Sequence, residues 1–330
     1  MIDLVARRKF FFLLSALIIL PGVISLLLPG GLRPGIDFTS GTILTLRFER
    51  PVDQGALRQV FAELGHPEAI VQRSGDEFIV RTLPLEQTST ATADAGQQSE
   101  RERIERRLRE EFGPRDESGQ PRADFTPIVA LDQVSPLIAA EIVRNALLAV
   151  AAACVGILVY LWWAFRKVKT PWRYGATAVF ALVHDALVVL GMFSILGRFF
   201  AIELDAMFIT AVLTVIGFSV HDTIVVFDRI RENSLRHAGD TFEDVVNHSL
   251  TQTLGRSLNT SLTVLLTLVA LLLFGGVTIR SFVLALLIGI TTGTYSSIFF
   301  ASMLLVVWEN GELGRLWGRL RGRKPRLAPA

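Results

Sequence analysis

Six runs of about 20 mostly apolar residues recur along the chain, at 10–28, 142–165, 174–196, 204–227, 257–274 and 281–308. Each is long enough to cross the roughly 30 Å hydrocarbon core of a bilayer as a helix, so the pattern predicts a six-span α-helical polytopic membrane protein. Between the first two runs the period changes. Residues 31–135 carry 13 basic and 18 acidic side chains and read as a water-soluble α+β domain. Residues 42–48 alternate, which sets Leu44, Leu46 and Phe48 on one face of a strand. Asp53 caps a helix whose Leu57, Val60, Phe61 and Leu64 make an apolar stripe ended by Gly65. Strands at 69–73 and 77–82 flank a Ser74-Gly75-Asp76 turn. Residues 87–99, rich in Ser, Thr, Ala and Gln, read as a flexible loop. Ile104, Leu108 and Phe112 then repeat at helical spacing until Gly113-Pro114, and a last strand falls at 124–131. The order β-α-β-β-α-β predicts a ferredoxin-like arrangement. The domains expected are therefore a tail and first span at 1–30, the α+β domain at 31–135, five spans at 136–308 and a basic tail at 309–330.

Composition agrees with the apolar pattern: 51% of the residues are hydrophobic and 19% charged, too apolar for an ordinary soluble domain. A net charge of +2 argues against a nucleic-acid binder. The single cysteine, Cys154, excludes an intramolecular disulfide framework and a multi-cysteine metal site. No G-x-x-x-x-G-K-[ST] loop and no zinc or haem pattern occurs, so no cofactor is implied and energy must come from a gradient or a partner. Charge decides orientation. With six spans both termini lie on one side, and placing them in the cytoplasm puts seventeen cations inside, against Arg144, Arg198 and Arg280 on the outer flanks and short loops. The α+β domain is then periplasmic. The first run exceeds a signal-peptide core and Leu28-Pro29-Gly30-Gly31 offers no cleavage site, so it is expected to be a retained anchor. The basic stretch from Arg315 to Arg326 most simply faces anionic lipid.

Ionisable side chains inside spans are costly, and each is a functional candidate. Asp185 lies mid-way along the third span after His184, and Asp222 in the cytoplasmic half of the fourth after His221. Sequence neighbours on a helix stand about 100° apart, so each His and its Asp are expected to project from different faces. Arg256 opens the fifth span at a depth close to that of Asp222, which permits an ion pair. Such an acid either ionises against a cation or takes a proton, and one charge moved through 100 mV is worth about 2.3 kcal/mol. The plainer readings are a buried helix-bonding group for Asp222 or Asp185, snorkelling for Arg256 and interhelical hydrogen bonding for the two histidines. Gly289 and Gly293 form a G-x-x-x-G that predicts close helix packing.

Several stretches resemble the SecD/SecF family of the bacterial protein-export machinery, on its SecF side. Gly35-Ile36-Asp37-Phe38-Thr39-Ser40-Gly41 is similar to the signature G-I-D-F-x-G-G, with Ser40 in place of the first glycine of the pair. Leu182-Val183-His184-Asp185 matches the third-span pattern. Residues 216–233, which include Gly217, Asp228 and Arg229, follow I-G-Y-S-x-N-D-T-I-V-V-x-D-R-I-R-E-N closely, with His221 where Asn is usual. Residues 253–261, through Asn259, are similar to the start of the fifth span. This resemblance implies a subunit of the bacterial inner membrane that is not an enzyme. It implies SecD as partner in a twelve-span assembly like the resistance-nodulation-division transporters, beside the SecYEG channel and SecA, with exported preproteins as cargo. It further implies that the proton-motive force drives late translocation, with proton passage at the positions filled here by Asp222 and Arg256.

Other functions compete. An intramembrane aspartyl protease would need G-x-G-D, and Phe218 to Asp222 reads F-S-V-H-D. Half of a proton-coupled small-molecule or lipid exporter of the same superfamily fits the spans alone, and a passive scaffold for a partner fits them too.

Overall fold

A computed structural model of the chain describes residues 3–86, 99–116, 119–166, 168, 170–236, 239–276 and 279–312. Most of the loop expected at 87–99 and of the basic tail lies outside the described residues. In chain order the elements are α1 (Arg8–Leu27), β1 (Gly41–Arg47), α2 (Gln54–Glu63), β2 (Ile70–Ser74), β3 (Glu77–Thr82), α3 (Glu100–Phe112), β4 (Ile128–Val134), α4 (Pro136–Ala164), α5 (Pro171–Phe200), α6 (Ala206–Arg236), α7 (Phe242–Phe274), α8 (Arg280–Tyr295), a π-helical turn (Ser296–Ala301) and α9 (Ser302–Glu309). Pro34–Asn145 form one compact unit and the remainder of the chain a second.

The smaller unit is a four-stranded sheet with strand order β2-β3-β1-β4 and antiparallel pairing throughout. Alternation decides its inner face: Leu44, Leu46, Val71, Phe78 and Val80 are buried with Leu57 and Phe61 of α2 and Ile104 and Leu108 of α3. Both helices start on side-chain caps. Asp53 Oδ2 accepts the Ala56 amide at 2.9 Å, and Ser99 with Glu102 forms a reciprocal capping box. β4 begins four residues later than the alternation implies. Residues before it are used in a turn, with the Phe125 amide bonded to the Arg122 carbonyl. Beside that turn the Arg122 guanidinium, bonded to Asp124 at 2.7 Å, holds the Asp124 carboxyl below the usual carboxylate range.

The G-I-D-F-T-S-G stretch forms one helical turn, Ile36–Thr39, and then feeds β1. Its last two residues turn the chain through positive φ, Ser40 at 63° and Gly41 at 142°. A Cβ on Gly41 would stand 2.9 Å from the Thr82 carbonyl oxygen, so glycine is required there. Ser40, with ψ 162°, sits in a region that only glycine occupies without cost. The strain is about 1–3 kcal/mol, and the extra freedom of glycine in the unfolded chain returns about 0.5–1 kcal/mol of it. Ser40→Gly is therefore expected to stabilise the chain by about 1 kcal/mol in denaturant titrations; an unchanged midpoint would show that the serine is unstrained.

The larger unit contains the apolar helices, except for the first ten residues of α4, which belong to the smaller unit. Six helical segments are long and apolar enough to cross a membrane: Val5–Leu27, Pro136–Ala164, Pro171–Phe200, Ala206–Arg236, Phe242–Phe274 and Arg280–Glu309. The fifth begins well before the expected 257. Its amino-terminal half is polar outside but buries Val245, Val246, Ser249, Leu250 and Thr253 at helical spacing, so it continues as one helix through Thr241's cap. The third, fourth and sixth spans are the most buried, and the apolar heart of the second carries no buried residue. Two backbone approaches hold the interior together. A Cβ on Gly191 would lie 2.6 Å from the Gly22 Cα, so α1 and α5 cross with main chains in contact. A Cβ on Gly289 would lie 2.2 Å from Val215 Cγ2, which confirms that the G-x-x-x-G is a close-packing surface, here of α8 on α6.

Candidate functional site

The polar groups in the larger unit gather around Asp185, which is 1% exposed on α5. Its Oδ2 accepts hydrogen bonds from Ser219 Oγ of α6 at 2.6 Å and Ser296 Oγ of the π turn at 2.8 Å. Its Oδ1 lies 3.0 Å from His184 Nδ1. The roughly 100° between the Cα–Cβ directions of sequence neighbours does not require His184 and Asp185 to touch, and here the imidazole reaches the neighbouring carboxylate all the same. A second tier supports the first. Ser297 Oγ donates to the Ser219 carbonyl at 2.9 Å, and Thr223 Oγ1 lies 2.8 Å from Ser297 Oγ. Gly293 makes room, since a Cβ there would stand 3.1 Å from the Ser219 Cβ and 3.6 Å from Asp185 Oδ2.

The π turn explains why two consecutive serines serve this cluster. Widening one turn of a helix shifts side chains from their ordinary angular positions. Ser296 then reaches Asp185 while Ser297 reaches the Ser219 carbonyl. The His184 ring packs against Phe300 at a tilt of 33°, with ring centroids 4.7 Å apart. Its Nε2 is buried without a partner among the described residues.

Asp222 presents the opposite case. It is 3% exposed, and its Oδ2 is buried with no hydrogen-bond partner among the described residues, as is Ser257 Oγ on α7. The ion pair expected between Asp222 and Arg256 does not form. Arg256 is exposed, off the stripe of Ser249, Thr253, Ser257 and Ser261 by which α7 packs inward. Register adds to this. Arg229 Nε donates to Gln252 Oε1 at 2.5 Å, and seven residues onward along each antiparallel helix bring Asp222 level with Asn259. Arg256 therefore lies about one turn, or about 5 Å, short of the acid.

His221 and Asn259 are likewise exposed. They belong to a pattern that counting along each helix could have found and that single-residue reading missed. On α6 the exposed positions up to Asp228 are Met207, Thr210, Thr214, Gly217, His221 and Asp228, and on α7 they include Gln252, Arg256, Asn259, Thr263 and Thr267. Each set follows i, i+3, i+4 spacing, and on α7 Leu258, Leu262 and Leu266 beside it are exposed too, so each helix carries polar groups on a surface left uncovered by the described residues. Near the C-terminal end of α6 Asp228 pairs with Arg231 at 2.6 Å, and Arg229 pairs with Glu232 at 2.5 Å.

Comparisons with known proteins identify the family. Residues 120–311 match the family "Protein export membrane protein SecD/SecF, C-terminal", and residues 30–52 match the "SecD/SecF GG Motif". Protein translocase subunit SecF of Thermobaculum terrenum is 50% identical over 97% of this chain and 98% of its own length. The SecF of Anaerolinea thermophila is 40% identical over 99% of this chain and all of its own. The crystal structure of SecDF, a translocon-associated membrane protein from Thermus thermophilus, aligns with a TM-score of 0.74 at 35% identity, covering 94% of this chain and 39% of that one.

Proposed function

This chain belongs to the SecD/SecF family of protein-export membrane proteins, and from that membership we propose that it is a SecF-type protein translocase subunit driven by the proton-motive force. The observation that carries the reading is the near full-length identity to relatives named as translocase subunit SecF. It is a multi-pass membrane protein. With both termini on the cytoplasmic side of an inner membrane, seventeen cations fall inside, and this charge asymmetry supports that orientation. Residues 31–135, in the ferredoxin-like order, then stand on the periplasmic face, with 1–30 and 136–308 in the membrane and 309–330 as the cytoplasmic tail.

Relatives in which the SecF-like part is only 39% of a SecDF chain suggest SecD as partner. The stripes on α6 and α7 support that pairing, because hydroxyls, an amide and a guanidinium facing hydrocarbon are each costly and a second helical protein supplies partners for them. SecYEG, SecA and exported preproteins complete the working assembly. Within it Asp222 takes and releases the proton, with Arg256 meeting it or the partner in one state of the cycle and His221 and Asn259 lining the approach. Asp185 and His184 fix α5 against α6 and the π turn, so that a change of charge at Asp222 moves these elements together.

Gly217 tests the partner. A Cβ there meets nothing within 4 Å of this chain, yet small residues on a spanning helix serve to let another helix approach. Gly217→Leu is expected to leave the chain's own melting temperature unchanged and to lower SecD co-purification about tenfold, the equivalent of about 1.4 kcal/mol of overpacking. Full recovery of SecD with the leucine variant would remove α6 from the interface. Failure of unaltered chain to retain SecD would favour the exporter half of the same superfamily.

A further inference from the structure

A cleft of about 470 Å³ opens where α4 and α6 end, between Trp163, Arg166, Arg231, Leu235 and Arg236, with Glu232 in its wall. Its polar groups are unevenly matched. Arg236 bonds Glu232 at 2.7 Å, and Arg231 bonds Asp228 at 2.6 Å while also reaching the Ala164 carbonyl at 3.4 Å. Arg166 lies over the Trp163 ring at 4.8 Å and donates one bond to the Trp163 carbonyl, and pairs with no carboxylate among the described residues. Three guanidiniums therefore line the cleft against one carboxylate, which Arg229 already shares. A guanidinium has five donors, so the contacts to helix-end carbonyls leave most of Arg166 free to bind an anion.

The walls name the kind of anion. Trp163 is 57% and Leu235 68% exposed, and Trp162 beside them is also exposed. An indole and a leucine left open at the end of two spanning helices suit the boundary between headgroups and acyl chains. We propose that this cleft binds one anionic phospholipid, its phosphodiester on Arg166 and Arg236 and its acyl chains along Trp163, Leu235 and the uncovered apolar surface of α4. Basic pockets between spanning helices select anionic headgroups by this chemistry. The inference rests on the reading that these helices span a membrane and on nothing about proton passage.

The test uses the purified full chain, stripped of lipid in detergent and offered equal amounts of phosphatidylglycerol and phosphatidylcholine, with retained lipid measured by native mass spectrometry. Phosphatidylglycerol is expected to be retained preferentially. Arg166→Gln is expected to reduce that retention about fivefold, the worth of one cation near a membrane surface. Arg166→Lys should restore most of it, and Arg280→Gln, which removes an equal charge at the other end of the bundle, should leave it unchanged. Equal retention of the two lipids, or an Arg166→Gln protein that keeps its phosphatidylglycerol, overturns the proposal. So does an Arg280→Gln protein that loses as much, which would reveal a diffuse charge effect. Displacement by excess inorganic phosphate would mark a free-phosphate site and overturn the lipid assignment. The lipid-free melting temperature of each variant separates these results from misfolding, and a null result leaves membrane insertion and family membership standing.

Discussion

Asp222→Asn is expected to abolish the part of protein export that depends on the proton gradient, while leaving the gradient-independent part and assembly with SecD intact. Asp222 is buried on α6 with Oδ2 unpartnered. The substitution keeps the shape and removes the only titratable atom pair at that point, so the chain loses its means of coupling a proton to a change of conformation. One charge carried through 100 mV biases an equilibrium by about 2.3 kcal/mol, which is roughly fiftyfold. Export by membrane vesicles holding the variant complex should therefore fall to the level seen after the gradient is collapsed. Because no partner atom among the described residues bonds Oδ2, the substitution breaks no hydrogen bond, and its unpartnered NH2 replaces an equally unpartnered carboxyl oxygen, so the melting temperature should change little. Arg256→Gln makes the companion case. Among the described residues the exposed guanidinium has no hydrogen bond or ion pair, so a loss of coupled export with unchanged stability would place its role in the partner interface or in another state of the cycle. If Asp222→Asn with SecD bound still exported at the full gradient-driven rate, the chain would be a scaffold and not a motor.

Legibility in the sequence followed the range of the forces involved. The cap at Asp53, the stripe Leu57-Val60-Phe61 and the alternation of Leu44 and Leu46 are local, and the elements they imply are present, whereas the capping box at Ser99 falls on a residue read as the end of a loop. Six apolar runs likewise imply six helices, because hydrocarbon leaves few other ways to satisfy a backbone. Boundaries were less readable where a long-range contact sets them. α7 starts fifteen residues before its apolar run because Val246 and Leu250 find a core against α9 and the end of α4. The π turn has no signature in Ser296-Ser297 that separates it from an ordinary helix. It exists because two serines have partners on two other helices. Depth along the apolar runs singles out Asp222, Arg256 and Asp185 as candidates, but depth carries no azimuth. Only the packed helix shows that Arg256 faces away from Asp222 and that Asp185 is the acid with bonded oxygens.

Asp185→Ala is expected to destabilise the membrane unit by about 3 kcal/mol, by loss of a buried acceptor shared by three donors. Each donor fares differently. Ser296 Oγ already lies 3.2 Å from the Gly293 carbonyl and can turn to it. Ser219 can fall back on a carbonyl of its own helix. His184 has no such recourse, since its Nε2 is buried without a partner and Nδ1 would join it. Compensation of this kind is why hydrogen bonds between spanning helices are often worth less than 1 kcal/mol each, and why about 3 kcal/mol, not the sum of three stranded groups, is expected. Asp185→Asn separates shape from charge. Its amide oxygen can keep Ser219 and Ser296, while its NH2 faces His184 Nδ1, which must then accept and carry its proton on Nε2. That variant should lose about 1 kcal/mol or less and retain gradient-driven export. Thermal unfolding in detergent and export in vesicles read the two effects independently. A stable Asp185→Asn complex that exports no better than Asp222→Asn would instead make Asp185 a second proton carrier, with His184 as the base at its side.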